Sequence, residues 1–242
     1  MGLVSFVIPA HDEEEELPGT LRAIREATAA LGIEYEMVVA DDASTDRTRE
    51  VAEAGGARVV RHERRQIAAT RNLGARESRG EFLFFIDADT HVNAQAVSEA
   101  LDAMKRGAAG GGGPIRFDEP VPLYARVILP ISLAFFRWFR FSGGAFFFCT
   151  RSVFDATGGW DESLYASEEM TMARAIKQQG TFVVVRTPVL TSGRKLRTYS
   201  GWEMLGLCWS AMKSGGGFVR KRESLDLWYG ERRQDRRSGP SA

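Results

Sequence analysis

Short apolar runs that alternate with helical patterns organise the first half of the chain. Four runs rich in β-branched and aromatic residues predict strands, at 3–9, 35–41, 57–62 and 81–87. Apolar residues recur at helical spacing from Leu17 to Leu31, and two shorter helices are predicted near 46–54 and 66–78. Strands that are apolar along their length and alternate with helices are typical of a parallel sheet covered on both faces. The predicted fold class is therefore α/β, with a Rossmann-type mixed, mostly parallel sheet flanked by helices.

The second half of the chain has a less regular pattern. Three more strands are predicted, at 110–113, 145–151 and 181–185, and the first is a glycine run that indicates flexible backbone or close approach. Three helices are predicted: a short one that ends at Gly158-Gly159, one over 167–180 that Ser167 caps and Gly180 ends, and one over 199–213.

Acidic side chains follow three of the predicted strands at the point where each strand ends. These clusters are His11-Asp12-Glu13, Asp41-Asp42 and the pair Asp87 and Asp89. The carboxyl ends of parallel strands meet at one edge of a sheet, and ligands bind there in folds of this kind. We therefore expect these side chains to form one site.

Asp87 and Asp89 come directly after the apolar run FLFFI. Side chains at positions i and i+2 point to the same side if the strand continues. Two like charges so close repel each other unless a cation or a shared proton relieves them. Mg²⁺ and Mn²⁺ take carboxylate ligands and complete their coordination with water and phosphate oxygens. A solvated turn after a strand is the alternative interpretation.

The loop after the first strand, PAHDEEEE, lacks the G-x-G-x-x-G fingerprint, which argues against an ordinary dinucleotide-binding unit. Ser44 or Thr45 is predicted to cap the helix that follows the second strand. Helix capping does not explain Asp41 and Asp42.

Composition and charge narrow the class of protein. The formal net charge is zero, and residues 1–50 carry twelve acidic against four basic residues, which argues against a nucleic-acid partner. Cys149 and Cys208 lie outside any Cys/His cluster, which indicates a reducing compartment and no structural zinc. We expect neither a signal peptide nor a transmembrane helix. The predicted localisation is cytoplasmic.

An aromatic segment at 121–141 carries arginines among its apolar residues. In one interpretation it lies in a lipid headgroup layer, which would place the protein peripherally at the inner face of the membrane. In the other, its aromatic residues are buried against the sheet. Pro122 and Pro130 interrupt a continuous helix and favour the second interpretation.

Five stretches of the chain occur in the order found in family 2 glycosyltransferases, which this sequence resembles. They are VSFVIPAHDEEEEL, VVADDASTDRT, AATRNLGARESRGEFLFFIDADT, GGWDE and SEEMTMARAIKQQG. The resemblance implies a GT-A fold, a nucleotide-sugar donor, an inverting transfer, and Mg²⁺ or Mn²⁺ as cofactor. It also implies a single domain over 1–215, with a nucleotide-binding half at 1–90 and an acceptor half at 91–215, followed by a basic tail at 216–242.

The resemblance implies a role for each motif at the strand ends. Four residues of the first loop would border the nucleotide: Pro9, Ala10, His11 and Glu13. The second loop would add Asp41, Asp42 and Ser44, with Asp42 reading the base. Arg71 would lie near the sugar-phosphate region, although a structural ion pair would also explain it. Asp87 and Ala88 would contact the ribose or sugar, and Asp89 would bind the metal that bridges the diphosphate.

Glu168-Glu169 stands where the resemblance implies a Glu-Asp pair whose second residue is the catalytic base. Such a base removes a proton from the acceptor hydroxyl. Glu169 keeps the carboxylate, but its extra methylene changes its reach. In the alternative interpretation, both acids are only first-turn residues of a helix, where acidic side chains are favourable. Arg194, in the basic loop 191–198, is predicted to bind the diphosphate, although a solvated loop explains it equally well.

Two other functions fit parts of this pattern. DADTH matches the Asp-x-Asp-x-Thr pattern of haloacid-dehalogenase-like phosphatases, although three strand–helix units precede it here. A non-catalytic nucleotide-sugar-binding protein is the other alternative, because Glu169 replaces the usual aspartate. The expected partners are a nucleotide-sugar donor and an acceptor that is lipid-linked, a polysaccharide, a protein or a small molecule.

Overall fold

The computed structural model describes residues 2–118 and 144–198, together with Arg220, Leu225 and Tyr229. The predictions for 121–141 and 199–213, and for most of the basic tail, fall outside the described residues. The expected division into a domain over 1–215 and a tail stays a prediction.

The described part of the chain contains strands and short helices in alternation. The strands are β1 (Val4–Ala10), β2 (Tyr35–Asp42), β3 (Arg58–His62), β4 (Phe82–Ile86), β5 (Thr90–His91), β6 (Gly110–Gly112), β7 (Ile115–Phe117), β8 (Phe146–Thr150), β9 (Phe182–Val184) and β10 (Val189–Thr191). The helices are α1 (Leu17–Leu31), α2 (Thr48–Ala54), α3 (Ile67–Glu77), α4 (Ala94–Lys105), α5 (Arg151–Thr157), α6 (Glu168–Gln179) and α7 (Arg194–Thr198).

Seven of the strands form one mixed sheet in the order β3-β2-β1-β4-β8-β6-β9. Strands β1 to β4 run parallel to one another, β8 is antiparallel to both β4 and β6, and β9 is parallel to β6. The predicted fold class is confirmed. A second sheet, β5-β10-β7, has no counterpart in the prediction, because strands of two or three residues are too short to show a period.

Helices cover both faces of the large sheet, and alternate side chains of each strand enter the two cores. Phe82, Phe84 and Ile86 of β4 pack in one core with α1 and α4. Leu83 and Phe85 pack in the other with α3 and α6. Burial on both faces is the reason that these strands are apolar throughout instead of alternating.

The predicted helix boundaries are right at two ends and wrong at others. As predicted, α5 ends at Gly158 and α6 ends before Gly180. Gly158 has the left-handed conformation that is common after a helix. Ser167 precedes α6, but its φ is 62° and its side chain does not cap the helix. Ser44 and Thr45 do not cap α2 either, because their hydroxyls are bound to Asp12 across the neighbouring loop. Helix α4 has no counterpart in the prediction.

The glycine run at 110–113 is a site of close approach. A Cβ on Gly111 would overlap the carbonyl oxygen of Val183 in β9 and would lie 2.6 Å from the Phe148 ring in β8. Glycine is therefore required for β6 to pair between its two neighbours.

We expect Gly111→Ala to lower the free energy of unfolding by about 3 kcal/mol, the upper part of the range for overpacking a core. Urea unfolding followed by circular dichroism measures this. Gly180→Ala is the control, because its Cβ would approach only the Ala109 Cβ, at 3.2 Å. Equal midpoints for Gly111→Ala and the unmodified chain would contradict the prediction.

Candidate active site

The loops after β1 and β2 are joined by side-chain-to-backbone hydrogen bonds. The Asp12 amide donates to Ser44 Oγ at 3.0 Å, and the Thr45 amide donates to Asp12 Oδ1 at 2.8 Å. Glu13 repeats the pattern, since its amide donates to Thr48 Oγ1 at 2.7 Å. The first two of the three expected clusters therefore meet at the sheet edge, beside Pro9 and Ala10 at the end of β1.

Asp42 organises the turn that leads into α3. Its carboxylate accepts the amides of Arg64, Arg65 and Gln66 at 2.7–2.9 Å and the Thr70 hydroxyl at 2.9 Å. Burial raises the pKa of Asp42, but these hydrogen bonds and His62 outweigh it and hold the pKa well below its usual value. Asp42 is buried as well as bonded. That it also reads a base stays a prediction.

Asp41 and His11 are held in place at the same edge. Asp41 accepts the Ser44 amide at 3.0 Å and pairs with Arg61 Nε at 3.0 Å. His11 Nδ1 lies 2.7 Å from the Asp42 carbonyl oxygen, and its Nε2 lies 3.0 Å from Asp12 Oδ2.

Arg71 of α3 joins two expected site residues that are distant in sequence, Asp87 and Glu168. Its Nη2 donates to Asp87 Oδ1 at 2.8 Å, and its Nη1 donates to Glu168 Oε1 at 2.7 Å. Arg71 is 2% exposed, and its guanidinium carbon lies 4.5 Å from the centroid of the Trp160 ring. Burial lowers the pKa of Arg71, but the charges of Asp87 and Glu168 outweigh this effect and raise it. The guanidinium is therefore a fixed cation between two carboxylates.

Glu169 follows Glu168 in the first turn of α6. Burial, and then the charge of Glu168, raise the pKa of Glu169 to about 7. A carboxyl group with this pKa gains and loses a proton near neutral pH, as a general base must. The two predicted catalytic residues therefore differ in their surroundings: Glu168 is bound to Arg71, and the pKa of Glu169 is raised.

The two aspartates at 87 and 89 do not continue the strand. Strand β4 ends at Ile86, and the Thr90 amide donates to the Asp87 carbonyl at 3.0 Å, which makes a turn. The condition under which both carboxylates would point to the same side, a strand that continues to Asp89, is therefore not met. Asp87 bonds to Arg71, whereas Asp89 Oδ1 accepts Thr191 Oγ1 at 3.3 Å.

The turn is also tied to α1 and α7. The buried Ala88 accepts the Thr20 hydroxyl on its carbonyl oxygen at 2.7 Å. Arg194 of α7 pairs with Glu13 at 3.0 Å and is buried. Burial lowers the pKa of Arg194, but Glu13, and after it Asp89, outweigh this effect and raise it. Arg194 thus lies between the first loop and the 87–90 turn, which places a basic group at the expected site.

Three contributors were missing from the sequence-based site. Trp160 packs on Arg71, and Asn72 holds the Trp160 backbone through a pair of hydrogen bonds at 2.8 and 2.9 Å. Thr191 of β10 holds Asp89. Asn72 and Trp160 lie in the stretches AATRNLGARESRGEFLFFIDADT and GGWDE, which pointed to these residues without showing what they contact. The contacts join residues 88 and 102 positions apart, and Thr191 lies in no such stretch.

The described residues contain no group of three or more His, Cys, Asp or Glu side chains that could hold a metal ion. Among the described helices, none has the length and apolar character needed to cross a bilayer.

The fold is shared with known glycosyltransferase structures. It matches the mannosyltransferase PcManGT from Pyrobaculum calidifontis, in complex with GDP-Man and Mn²⁺, with a TM-score of 0.64, 19% identity, and coverage of 93% of this chain and 64% of that one. It matches S. aureus TarS with a TM-score of 0.61, 16% identity, and coverage of 93% and 77%. The expected GT-A fold is confirmed.

Curated relatives are similar over part of the chain. An uncharacterized glycosyltransferase of Haemophilus influenzae is 33% identical over 106 residues, which are 43% of this chain and 35% of the relative. An undecaprenyl-phosphate 4-deoxy-4-formamido-L-arabinose transferase of Pseudomonas paraeruginosa is 32% identical over 117 residues, 43% of this chain and 33% of the relative. The matched stretch thus spans about a third of these relatives.

A family profile described as Glycosyl transferase family 2 matches residues 5–159. That stretch contains the two joined loops, Arg71 and the 87–90 turn, and it makes up more than half of the chain. The expected enzyme class is confirmed at the level of the family, and this chain belongs to glycosyl transferase family 2.

Proposed function

We propose that this protein transfers a sugar from a nucleotide-sugar donor to an acceptor hydroxyl with inversion at the anomeric carbon. The observation that carries the proposal is Glu169, a carboxyl group with a pKa near 7 next to the Arg71-bridged pair Asp87 and Glu168. The family membership supports it, as does the position of these residues at the carboxyl edge of the sheet.

Solved structures with this fold support the donor class. TarS was determined in complex with UDP and with UDP-GlcNAc, and PcManGT in complex with GDP-Man and Mn²⁺. In this chain we assign the nucleotide to the joined loops after β1 and β2. The sugar-diphosphate is assigned to the 87–90 turn, where Arg71 and Arg194 supply positive charge.

In the proposed reaction the acceptor oxygen forms a bond to the anomeric carbon while the bond from that carbon to the diphosphate oxygen breaks. The departing nucleoside diphosphate takes the bonding electron pair. The proton of the acceptor hydroxyl passes to the Glu169 carboxylate. Arg71 offsets part of the negative charge of Glu168 and Asp87 and lowers the pKa of Glu169, which favours a deprotonated Glu169 near neutral pH.

Asp89 is the residue assigned to a divalent cation. The described residues offer no cluster of three ligands, but Mg²⁺ and Mn²⁺ are often held by one or two carboxylates with phosphate oxygens and water. An oxygen donor set of one carboxylate facing a diphosphate fits that chemistry. When bound, the ion would neutralise charge on the leaving diphosphate.

A lipid-linked acceptor is the class that the relatives favour. One relative is a transferase for undecaprenyl-phosphate and another for 4,4'-diaponeurosporenoate, so both names describe lipid acceptors. We propose that this chain also works at a membrane surface, in peripheral contact. A phosphate acceptor would already be ionised near neutral pH and would need no base, so the two acceptor chemistries predict different roles for Glu169.

Titration with nucleotides tests the donor site. We expect one of UDP, GDP, CDP or dTDP to bind in isothermal calorimetry with Mn²⁺ present, and we expect Asp89→Ala to weaken that binding at least tenfold. Asp102→Ala is the control, since this exposed aspartate lies on α4, away from the carboxyl edge of the sheet.

Binding that is equally tight in Asp89→Ala would contradict the assignment of the metal to Asp89. Nucleotide binding without any consumption of UDP-GlcNAc or GDP-mannose would instead favour the non-catalytic binding protein. The phosphatase alternative has no support in the family match.

A further inference from the structure

A small apolar cluster lies beside the active site, outside the two main cores. It contains Ala166 and the fully buried Leu225, with Tyr165 and Tyr229 packed against them. The two tyrosine rings meet edge to face, with centroids 5.6 Å apart and an interplanar angle of 81°. Leu225 and Tyr229 lie well beyond residue 159, where the family match ends.

The Tyr229 hydroxyl connects two segments of the active site. It donates to the Tyr165 carbonyl oxygen at 2.9 Å and accepts the Ile67 amide at 3.4 Å. Ile67 is the first residue of α3, which carries Arg71 one helical turn later, and Tyr165 lies three residues before Glu168. The hydroxyl therefore joins the two backbone segments whose side chains form the Arg71–Glu168 ion pair.

The hydroxyl is in a state to make both hydrogen bonds. Burial raises the pKa of Tyr229, and the nearby charge of Glu168 adds to this effect, so the phenol stays protonated at neutral pH.

The segment that Tyr229 holds contains a strained residue. Ser167 has a φ of 62°, and its side chain makes no capping hydrogen bond to α6. A residue other than glycine in the left-handed region costs on the order of 1 kcal/mol and persists only where its surroundings hold it. The contacts on Tyr165 and Ala166 immediately precede it and supply that support.

We propose that Tyr229 is a positioning residue for the proposed base. Its hydroxyl holds the segment 165–167 against the start of α3, which keeps Glu168 on Arg71 and sets the place of Glu169. This role rests on the proposed function, because Glu169 needs a fixed position only if it receives a proton from a bound acceptor.

Tyr229→Phe in the full chain tests the role, since it removes one oxygen atom and keeps the ring. The control is Tyr35→Phe, the same change at the start of β2, at the opposite end of the sheet. Three quantities are compared: hydrogen exchange of the backbone amides in 163–170, nucleotide affinity, and the pH profile of kcat for consumption of UDP-GlcNAc or GDP-mannose.

We expect exchange in 163–170 to be about tenfold faster in Tyr229→Phe, the effect of losing one net hydrogen bond. The dissociation constant for the nucleoside diphosphate should stay within twofold, because the joined loops are untouched. The kcat should fall about tenfold and the midpoint of its acid limb should move, since the charges around Glu169 shift. Tyr35→Phe should match the unmodified chain in all three.

Equal exchange in 163–170 and an unchanged pH profile of kcat would overturn the inference while leaving the proposed function standing. An unmodified chain that binds no nucleoside diphosphate and consumes no donor would overturn the proposed function and the catalytic role of Tyr229 together. In that case the exchange data still decide whether the hydroxyl holds the segment.

Discussion

Replacing Arg71 with alanine should lower the free energy of unfolding by about 3–5 kcal/mol, the range for breaking a buried ion pair on one side. Asp87 and Glu168 would lose the cation that both contact. The free energy of unfolding of Arg71→Lys should lie between those of the unmodified chain and Arg71→Ala. A lysine ammonium keeps the charge but cannot present separate donors to both carboxylates as the guanidinium does. Urea unfolding at pH 7.5 measures all three chains.

The matched control is Arg76→Ala on the same helix. Arg76 is mostly exposed and lies 3.4 Å from Glu162, so its loss should change the free energy of unfolding by less than about 1 kcal/mol. If Arg71→Ala and Arg76→Ala unfold at the same urea concentration, the ion pairs of Arg71 with Asp87 and Glu168 do not stabilise the fold.

Glu169→Gln should reduce kcat by about 10²–10⁴-fold with an acceptor that attacks through a hydroxyl, the usual contribution of a general base. Glutamine has nearly the same shape but cannot take the proton. Nucleotide affinity should be unchanged. If the variant keeps full activity with undecaprenyl phosphate, the acceptor is an anion and Glu169 is not its base.

The same substitution should change the pH dependence of stability in a defined direction. The pKa of Glu169 is about 7 in the folded chain and 4.5 as its ordinary value, so the folded state binds more protons between these values. The unmodified chain should therefore lose stability as pH rises from 4.5 to 7. Glu169→Gln lacks this loss, so it should be the more stable of the two at pH 8, with little difference at pH 4.5.

Glu99 is the control for this prediction, because its pKa is shifted in the opposite direction. Burial raises the pKa of Glu99, but hydrogen bonds from Gln95, Thr187 and the amide of Arg186 outweigh it and lower the pKa to about 2. Its stabilising effect is complete above pH 4.5 and is lost as pH falls toward 2. Glu99→Gln should therefore be destabilised equally at pH 5.5 and pH 8. The difference in melting temperature between Glu169→Gln and the unmodified chain should instead change between pH 5.5 and pH 8. An equal difference at both pH values would rule out a raised pKa for Glu169.

The main sheet could be predicted from the sequence because its strands are buried on both faces. β1, β2 and β4 are apolar along most of their length, and each leads into the polar cluster that was expected to form the site. Local pattern is enough for such strands, since each is read from its own residues.

The side-chain contacts within the site could not be predicted in the same way. Arg71 and Glu168 are 97 residues apart, and only the packing of α3 beside α6 brings them together. The turn after Ile86 was also hidden, because the sequence does not show where a strand with apolar residues stops being extended. Asp42 looked like a ligand-reading residue, and the structure adds a turn-forming role through three backbone amides.

The order of the strands has a consequence for how the chain is made. β3, β2, β1 and β4 are complete by Ile86, but β8, which covers the open side of β4, begins only at Phe146. A chain emerging from the ribosome would therefore carry β4 as an unpaired edge, with phenylalanines on it, while the intervening residues are synthesised. A nascent or truncated chain that ends between Ile86 and Phe146 would be a substrate for chaperones. It would also be prone to aggregate with other chains through the β4 edge.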